Sequence, residues 1–297
     1  MNNGLLTKTV RMFSNVLYVQ SNNCTTSSNV KKCYNWDLGP IIQQQCRSNV
    51  KYAVIVLNRP ILQSKGYVTE LWNNASVRML VDGGTIRWNT FLSSLPNELL
   101  RGMRHPDYVT GDFDSVTEDI LEKYRNLGST VIHTLDQTYT DFTKAVMELD
   151  NHCKQHHTEM EHVIAIVQTA GRLDQTLGNI NTMFLAKEKH LISPNTTIFI
   201  MADDSLSWLL EPGDHVIHIP QASLKHKKPW CSLVPVGGVC DSISTSGLVW
   251  DMDKNTMQFG DLVSTSNLFG GSEVVKISCS HRVLWSMRIP DVFDELL

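Results

Sequence analysis

The sequence lacks the features of a helical membrane protein and of a nucleic-acid-binding protein. Its 297 residues contain no uninterrupted apolar run of the roughly 18–20 residues that a membrane helix requires. There is no excess of positive charge either: the formal net charge is -4, whereas binding a polyanion normally needs a basic surface. We therefore expect neither a membrane nor nucleic acid as a partner. The negative net charge does not exclude a function that acts on phosphate groups, because magnesium can supply the positive charge that the side chains lack.

Cysteine is sparse and follows no disulfide or metal-binding pattern. The seven cysteines are odd in number and are never spaced C-x-x-C. Scattered cysteines of this kind are typical of reduced, buried thiols in a cytosolic protein rather than of a disulfide framework or a zinc site. The cysteine pattern therefore predicts a cytoplasmic location.

Acidic residues are missing from the first 36 positions, whose charged side chains are Lys8, Arg11, Lys31 and Lys32. Acid-poor, serine-rich termini can be organelle transit peptides. However, only Lys8 and Arg11 fall within the first 30 residues, and the apolar spacing is not helical. We predict a disordered extension over residues 1–49, with an organelle signal as the alternative.

From residue 50 the pattern becomes that of an α/β domain. Residues 52–57 are almost wholly apolar, as expected of a strand buried on both faces of a parallel sheet. Further predicted strands are residues 78–81, 131–132, 163–167 and 197–201. Helical spacing between them predicts two apolar faces, one made by Phe142, Ala145, Val146 and Leu149, the other by Leu177, Ile180, Phe184 and Leu185. This alternation predicts a Rossmann-like domain with a mostly parallel sheet over residues 50–211.

After about residue 212, short β-rich runs replace the alternation. The predicted strands are residues 215–219, 232–235, 247–251, 274–278 and 283–287. The pairs Gly237-Gly238 and Gly270-Gly271 separate some of them. Short strands at this spacing are typical of a sandwich or barrel. We predict an all-β sandwich domain over residues 212–297.

Two acidic clusters follow predicted strands. Asp82 is followed by two glycines, which let a ligand approach the backbone but also form ordinary turns. Asp112 and Asp114 stand two residues apart, so an extended chain would point both carboxylates to one side. Like charges held together favour a cation between them, and hard oxygen ligands suit magnesium. A solvated acidic loop is the alternative.

Two further clusters could contact an anion. Thr140 is a predicted N-cap that places Asp141 in the first helical turn and Lys144 one turn later. Free N–H groups at a helix start favour an anion, although Asp141 could instead complement the helix dipole and pair with Lys144. Arg172 follows a glycine at a strand–helix junction and suits phosphate, unless it pairs with Asp174.

All of these clusters are predicted to lie at the carboxyl ends of strands. Open α/β sheets bind their ligands at that edge. The coincidence predicts one shared site for nucleotide phosphates and a metal ion.

Read in order, the clusters resemble the motifs of thiamin pyrophosphokinases, and of the animal-type enzymes in particular. The matching segments include Asp82-Gly83-Gly84, Gly111-Asp112-Phe113-Asp114-Ser115, Thr140-Asp141-Phe142-Thr143-Lys144, Gly171-Arg172-Leu173-Asp174-Gln175 and Leu262-Val263-Ser264-Thr265-Ser266-Asn267. The resemblance covers residues 50–288. It departs at Thr85-Ile86, where the family usually has Ala-Asn before Arg87, so one polar contact near Asp82 is in doubt.

The resemblance implies a homodimeric, magnesium-dependent enzyme that transfers a pyrophosphoryl group from ATP to the hydroxyl of thiamin and releases AMP. It implies active sites in clefts between subunits. The implied magnesium ligands are Asp82, Asp112, Asp114 and Asp141, and these with Lys144 and Arg172 are the predicted catalytic residues. The implied nucleotide contacts are Gly83, Gly84, Arg87, Gly111, Gln137, Thr140 and Asp174. The implied thiamin contacts are Ser264, Ser266, Asn267 and Phe269; a core position is the alternative for Phe269 and is favoured for Trp250.

Three other functions compete with this one. A pyrophosphokinase of the same architecture could act on another alcohol, such as a hydroxymethyl-pterin, although the Ser-Thr-Ser-Asn segment favours thiamin. A non-catalytic sensor of thiamin or of a nucleotide is the second alternative, but it would not need all of the aspartates that the resemblance implies as magnesium ligands. A dinucleotide dehydrogenase would carry a G-x-G-x-x-G motif after the first strand, and the sequence has none there.

Overall fold

A computed structural model describes residues 31–42, 50–167 and 171–289. The strands are β1 Cys33–Asp37, β2 Tyr52–Val56, β3 Val77–Val81, β4 Tyr108–Gly111, β5 Thr130–His133, β6 His162–Val167, β7 Thr197–Ala202, β8 Ser205–Leu210, β9 Gly213–His218, β10 Cys231–Val234, β11 Cys240–Ser246, β12 Asn255–Met257, β13 Ser264–Asn267, β14 Val274–Cys279 and β15 Val283–Arg288. The helices are α1 Gly39–Ile42, α2 Lys65–Asn74, α3 Gly84–Ser94, α4 Asn97–Arg101, α5 Glu118–Asn126, α6 Asp141–Gln155, α7 Leu173–Glu188 and α8 Gln221–Lys225. The prediction of a mixed α/β protein is confirmed.

The larger sheet has ten strands in the order β13-β10-β15-β8-β7-β6-β2-β3-β4-β5. The strands from β7 to β5 are parallel, and β8, β15, β10 and β13 continue the sheet antiparallel. The chain leaves β2 for β3 on one side, and it leaves β6 for β7 on the other. The carboxyl ends of β2 and β6 therefore border a switch point, where doubly wound sheets open a crevice.

The smaller sheet has five strands in the order β1-β9-β14-β11-β12. Its first strand faces the larger sheet, because the ring of Trp36 lies 5.5 Å from the ring of Trp208 in β8. Trp208 also meets Phe199 of β7 and Trp285 of β15, with ring centroids 5.4 and 6.2 Å apart. Trp208 and Trp285 are fully buried. These aromatic rings form the apolar contact between the two sheets.

The prediction of a disordered extension over residues 1–49 is wrong for the described residues of that range. β1 pairs in parallel with β9, and Trp36 Nε1 donates to His215 Nδ1 at 3.0 Å. Ile41 and Ile42 of α1 are also buried. The partners lie far along the chain, so local composition could not indicate them. Residues 1–30 and 43–49, and with them the organelle-signal alternative, lie outside the described residues.

Two local predictions also differ from the structure. On α7 the buried residues are Thr182, Met183 and Ala186, whereas Leu177 of the predicted apolar face is 50% exposed. Residues 247–251 form a loop rather than a strand. There the carboxylate of Asp251 accepts hydrogen bonds from backbone N–H groups of the same segment, and a side chain that caps its own backbone competes with strand pairing.

Two histidines are buried as neutral rings. His162 and His215 are 7% and 1% exposed, and burial lowers the pKa of each from 6.5 to about 4. The ring of His215 accepts from Trp36 at Nδ1, and its Nε2 lies 2.8 Å from the carbonyl oxygen of Glu211. A neutral ring with its proton on Nε2 satisfies both contacts.

We expect the free energy of unfolding to fall as the pH drops from about 6.5 to about 4. In that window the unfolded chain binds a proton on each histidine and the folded protein does not, so acid favours unfolding. Each histidine should contribute a slope of about 1.4 kcal/mol per pH unit. Urea denaturation at several pH values would measure the slope, which His215→Gln should make shallower. An equally steep slope in that variant would contradict the assignment.

Candidate active site

A cavity of about 510 Å³ opens at the carboxyl ends of the parallel strands. The predicted residues that line it are Asp82, Asp112, Asp114, Gln137, Thr140, Asp141, Lys144 and Arg172. They come from the ends of β3 and β4, the start of α6 and the segment before α7. The structure thus brings together side chains that are far apart in the sequence.

Asp82, Asp112 and Asp141 form the centre of this cavity. Each offers a carboxylate oxygen, and these oxygens lie within 4.8 Å of one another. Asp82 directly follows β3 with φ of +45°, a left-handed conformation that is uncommon for a non-glycine residue. Burial raises the pKa of Asp141, Lys144 lowers it, and Asp112 and Asp82 raise it, so the net shift is upward. Three convergent carboxylates fit a hard divalent cation such as Mg²⁺, which prefers oxygen ligands.

Asp114 lies outside this group of carboxylates. An extended chain would point Asp112 and Asp114 to one side, but β4 ends at Gly111, and Phe113 takes φ of +59°. This left-handed turn breaks the alternation that would point Asp112 and Asp114 the same way. Asp114 lines the cavity and accepts a hydrogen bond from Ser115 Oγ at 2.7 Å. Its role as a metal ligand stays a prediction.

Lys144 is held by the protein itself. Thr140 caps α6 as predicted, its Oγ1 accepting from the backbone N–H of Thr143, and this places Asp141 in the first turn. Lys144 Nζ lies 2.6 Å from Asp141 Oδ1. It also donates to the carbonyl oxygens of Thr134 and Asp136, each at 3.2 Å. The buried ammonium therefore ties α6 to the preceding loop, and the alternative of a Lys144–Asp141 pair is the observed one.

Arg172 is likewise paired. Its Nε donates to Asp174 Oδ1 at 3.0 Å, and its Nη2 contacts Asp174 Oδ2. Both side chains are more than 60% exposed, at 65% and 63%. The pairing left open by the sequence is therefore present, and Asp174 is not among the residues that line the cavity.

The other predicted nucleotide contacts, which include Gly84 and Gly111, do not line the cavity. A Cβ on Gly84 would lie 2.3 Å from the carbonyl oxygen of Val56, and one on Gly111 would lie 2.9 Å from Asp82 Cβ. At these glycines, the close approach is between two parts of the chain. Gly83 and Arg87 do not line the cavity either, but Arg87 Nε donates to Asn58 Oδ1 at 3.1 Å. Asn58 does line it.

The predicted thiamin contacts belong to the second half of the chain and do not line this cavity. Ser264, Ser266 and Asn267 lie in β13. The amide of Asn267, which is 2% exposed, accepts from the backbone N–H of Trp250 at 3.3 Å and donates to its carbonyl oxygen at 3.0 Å. Phe269 is also buried, whereas Trp250 is 60% exposed. The core alternative is therefore wrong for Trp250.

Several cavity residues were missed by the sequence-based prediction. They are Asn58, Arg59, Ser115, Tyr139, Gln175, Thr176 and Asn179. Asn58 and Arg59 end the first predicted strand of the domain. They carried the same signal that identified the other clusters, namely polar residues at the carboxyl end of a buried strand.

Two family profiles match the chain in succession. The profile described as "Thiamin pyrophosphokinase, catalytic domain" matches residues 68–193, and "Thiamin pyrophosphokinase, vitamin B1 binding domain" matches residues 214–284. Thiamine pyrophosphokinase 1 of Arabidopsis thaliana is 34% identical over 248 residues, which are 82% of this chain and 88% of the relative. The chain belongs to the thiamin pyrophosphokinase family.

Relatives from other organisms agree with membership of the thiamin pyrophosphokinase family. Thiamin pyrophosphokinase 1 of Caenorhabditis elegans is 26% identical over 256 residues, covering 84% of this chain and 92% of the relative. The crystal structure of yeast thiamin pyrophosphokinase shares the fold, with a TM-score of 0.75 at 20% identity over 90% of this chain and 95% of that chain.

The two family profiles divide the predicted site residues between them. The carboxylates of the cavity fall in the matched catalytic domain, and Ser264 to Phe269 fall in the matched vitamin B1 binding domain. In the part of the chain that the structure describes, no helix is both long and apolar enough to cross a membrane.

Proposed function

We propose that the protein is a magnesium-dependent thiamin pyrophosphokinase, which transfers the pyrophosphoryl group of ATP to the hydroxyl of thiamin. The products are thiamin diphosphate and AMP. One observation carries the proposal: carboxylates from the ends of β3 and β4 and from the start of α6 converge within 4.8 Å of one another. They converge in the cavity of the domain that matches the family's catalytic profile.

Asp82, Asp112 and Asp141 would hold Mg²⁺, with Asp114 as a fourth proposed ligand. When bound, the ion neutralises phosphate charge and orients the phosphate oxygens. The thiamin hydroxyl oxygen forms a bond to the β-phosphorus of ATP as the bond from that phosphorus to the AMP oxygen breaks; AMP is the leaving group, and the hydroxyl proton passes to one of the cavity carboxylates. Phosphoryl-type transfer depends mostly on alignment and charge neutralisation. The protein contributes by fixing its carboxylates on three separate elements, with Lys144 holding Asp141 in place.

The finer architecture is also a proposal. Six consecutive parallel strands support a Rossmann-like first domain over residues 50–211. The ring contacts of Trp208 with Trp36 of the smaller sheet and with Trp285 of β15 support a sandwich of two sheets as the second domain over residues 212–297, to which β1 and β8 are added from outside that range. A cytoplasmic location remains a prediction from the cysteine pattern.

We further propose that two copies of the chain form the complete site. The predicted thiamin contacts do not line the carboxylate cavity of one chain, so a second copy would bring the two sets together. Trp250, Phe259 and Val249 are 60%, 67% and 50% exposed. Exposed apolar groups of this kind mark interaction surfaces, and together these three form the proposed dimer surface.

Replacing Trp250 by aspartate should separate the dimer and lower thiamin diphosphate formation by about 10-fold or more, because a charge is buried at the centre of an apolar contact. Sedimentation velocity of wild type and variant would measure the assembly, and a turnover assay the activity. A variant that stays dimeric with unchanged activity would show that Trp250 lies outside the interface.

The function itself is tested by incubating purified protein with ATP, Mg²⁺ and thiamin and separating the products by chromatography. Equal amounts of thiamin diphosphate and AMP, both abolished by EDTA, are expected. ADP with thiamin monophosphate would mean attack at the γ-phosphorus instead. Binding of thiamin without turnover would favour a sensor. If thiamin is neither bound nor converted, hydroxymethyl-pterins would be tested next as substrates.

A further inference from the structure

The cavity has few cationic groups available to a ligand. Among its described lining residues, the cationic side chains are Arg59, Lys144 and Arg172. Lys144 is ion-paired with Asp141, and Arg172 is ion-paired with Asp174. Neither of these two cations can bind a phosphate without sharing or giving up its carboxylate partner.

Arg59 differs from both. It follows β2 at the switch point of the sheet, and its Nη2 donates to Gln175 Oε1 at 2.6 Å. Gln175 is neutral, and within residues 31–42, 50–167 and 171–289 no carboxylate lies at ion-pair distance from Arg59. Among the described residues the guanidinium of Arg59 therefore has no carboxylate partner, and it lines the cavity.

The segment before α7 leaves room for this guanidinium. Gly171 has φ of +101°, and a Cβ there would lie 3.1 Å from Arg59 Nη1. A side chain at position 171 would be both strained in its backbone and tight against Arg59. Gln175 therefore holds the guanidinium, Gly171 leaves space for it, and Asp82 and Asp112 line the same cavity as Arg59.

We propose that Arg59 binds the polyphosphate of the nucleotide and is a substrate-binding residue of this site. The inference rests on the proposed function, since it takes the ligand to be a nucleoside triphosphate. A triphosphate brings several negative charges into a cavity that already contains four aspartates. Magnesium offsets part of this charge, and a guanidinium offers paired N–H donors that match phosphate oxygens. Of the three cationic side chains among the described lining residues, Arg59 can do so without separating from a carboxylate partner.

Arg59→Ala should raise the KM for ATP by about 10- to 100-fold, because hydrogen bonds to charged groups are the strong ones. The KM for thiamin should stay unchanged. Arg59→Lys should recover only part of the loss, since lysine keeps the charge but not the fork. Arg101→Ala, which removes an exposed arginine of α4 outside the cavity, is the matched control and should behave as wild type.

The variant Gln175→Ala distinguishes a direct contact of Arg59 with phosphate from an indirect role in positioning other residues. If Arg59 binds phosphate directly, removing Gln175 leaves the charge in place and costs less than Arg59→Ala. Equal losses in the two variants, or an ATP KM in Arg59→Ala within about twofold of wild type, would overturn the proposal. Thermal unfolding is measured first, and Arg59→Lys, which keeps the aliphatic stem, replaces Arg59→Ala if the latter fails to fold.

Failure of the proposed function is distinguishable from failure of this inference. If the wild type shows no turnover, calorimetry with ATP and with inorganic tripolyphosphate still compares wild type and Arg59→Ala. Weaker binding of both ligands by the variant supports a polyphosphate contact. Equal binding by both proteins, or no binding by either, overturns it.

Discussion

Asp112→Asn should lower thiamin diphosphate formation by about 100-fold or more. The substitution keeps the size of the side chain and removes one of the three negative charges that meet within 4.8 Å. Changes to residues that merely orient a metal ligand already cost about 10- to 100-fold, so loss of a ligand's charge should cost at least as much. Asp82→Asn should behave in the same way, because its carboxylate belongs to the same group. Steady-state rates at saturating Mg²⁺, ATP and thiamin would measure both effects.

Asp119→Asn is the matched control for these variants. Asp119 is exposed on α5 and lies outside the cavity, so its activity should stay within about twofold of wild type. Circular dichroism would establish that all three variants are folded. If Asp112→Asn retained more than about a tenth of the wild-type rate, the carboxylate group would not be the centre of the reaction.

Trp208→Ala should lower the free energy of unfolding by about 3–5 kcal/mol, the usual cost of truncating a large buried aromatic. Trp208 is 0% exposed and touches rings on three other strands, including Trp36 from the smaller sheet. Its removal leaves a cavity between the sheets that no single neighbour can fill. Urea denaturation at pH 7 would measure the loss.

Leu100→Ala provides the comparison for this second prediction. Leu100 is 41% exposed on α4, and truncation of such a residue should cost less than about 1 kcal/mol. If Trp208→Ala cost no more than Leu100→Ala, the aromatic contact between the sheets would not stabilise the fold.

The parts of the fold that local pattern could predict are those with a continuous apolar signal. β2, β3, β6 and β7 are buried along nearly their whole length, and their sequences are correspondingly apolar. β1 was missed because its pairing with β9 joins residues such as Cys33 and Asp214, and no local pattern encodes so distant a partner. The loop at 247–251 was misread because one carboxylate, that of Asp251, decides its conformation.

The candidate site, like the fold, could be predicted from the sequence only in part. Its composition was predictable, because polar residues at the carboxyl ends of buried strands converge in any parallel sheet. Its geometry was not predictable, because which carboxylates converge depends on turns such as the one at Phe113, and Asp114 lies outside the group. Lys144 and Arg172 line the cavity, and their pairing with Asp141 and Asp174, which the sequence left open as alternatives, is present in the structure. Arg59 also follows the carboxyl end of a buried strand, but it was not among the predicted site residues.

The position of β1 has a consequence for the order in which the protein folds. β1 comes early in the chain, yet the strand that it pairs with, β9, follows the whole parallel part of the larger sheet. During synthesis β1 has no partner until β9 has left the ribosome, and pairings between such distant segments form slowly. Until then the apolar face of β1, with Trp36, is open to contact with other molecules. The first strand of the described residues to be synthesised is therefore among the last to be ordered, and the nascent chain is open to aggregation until β9 follows.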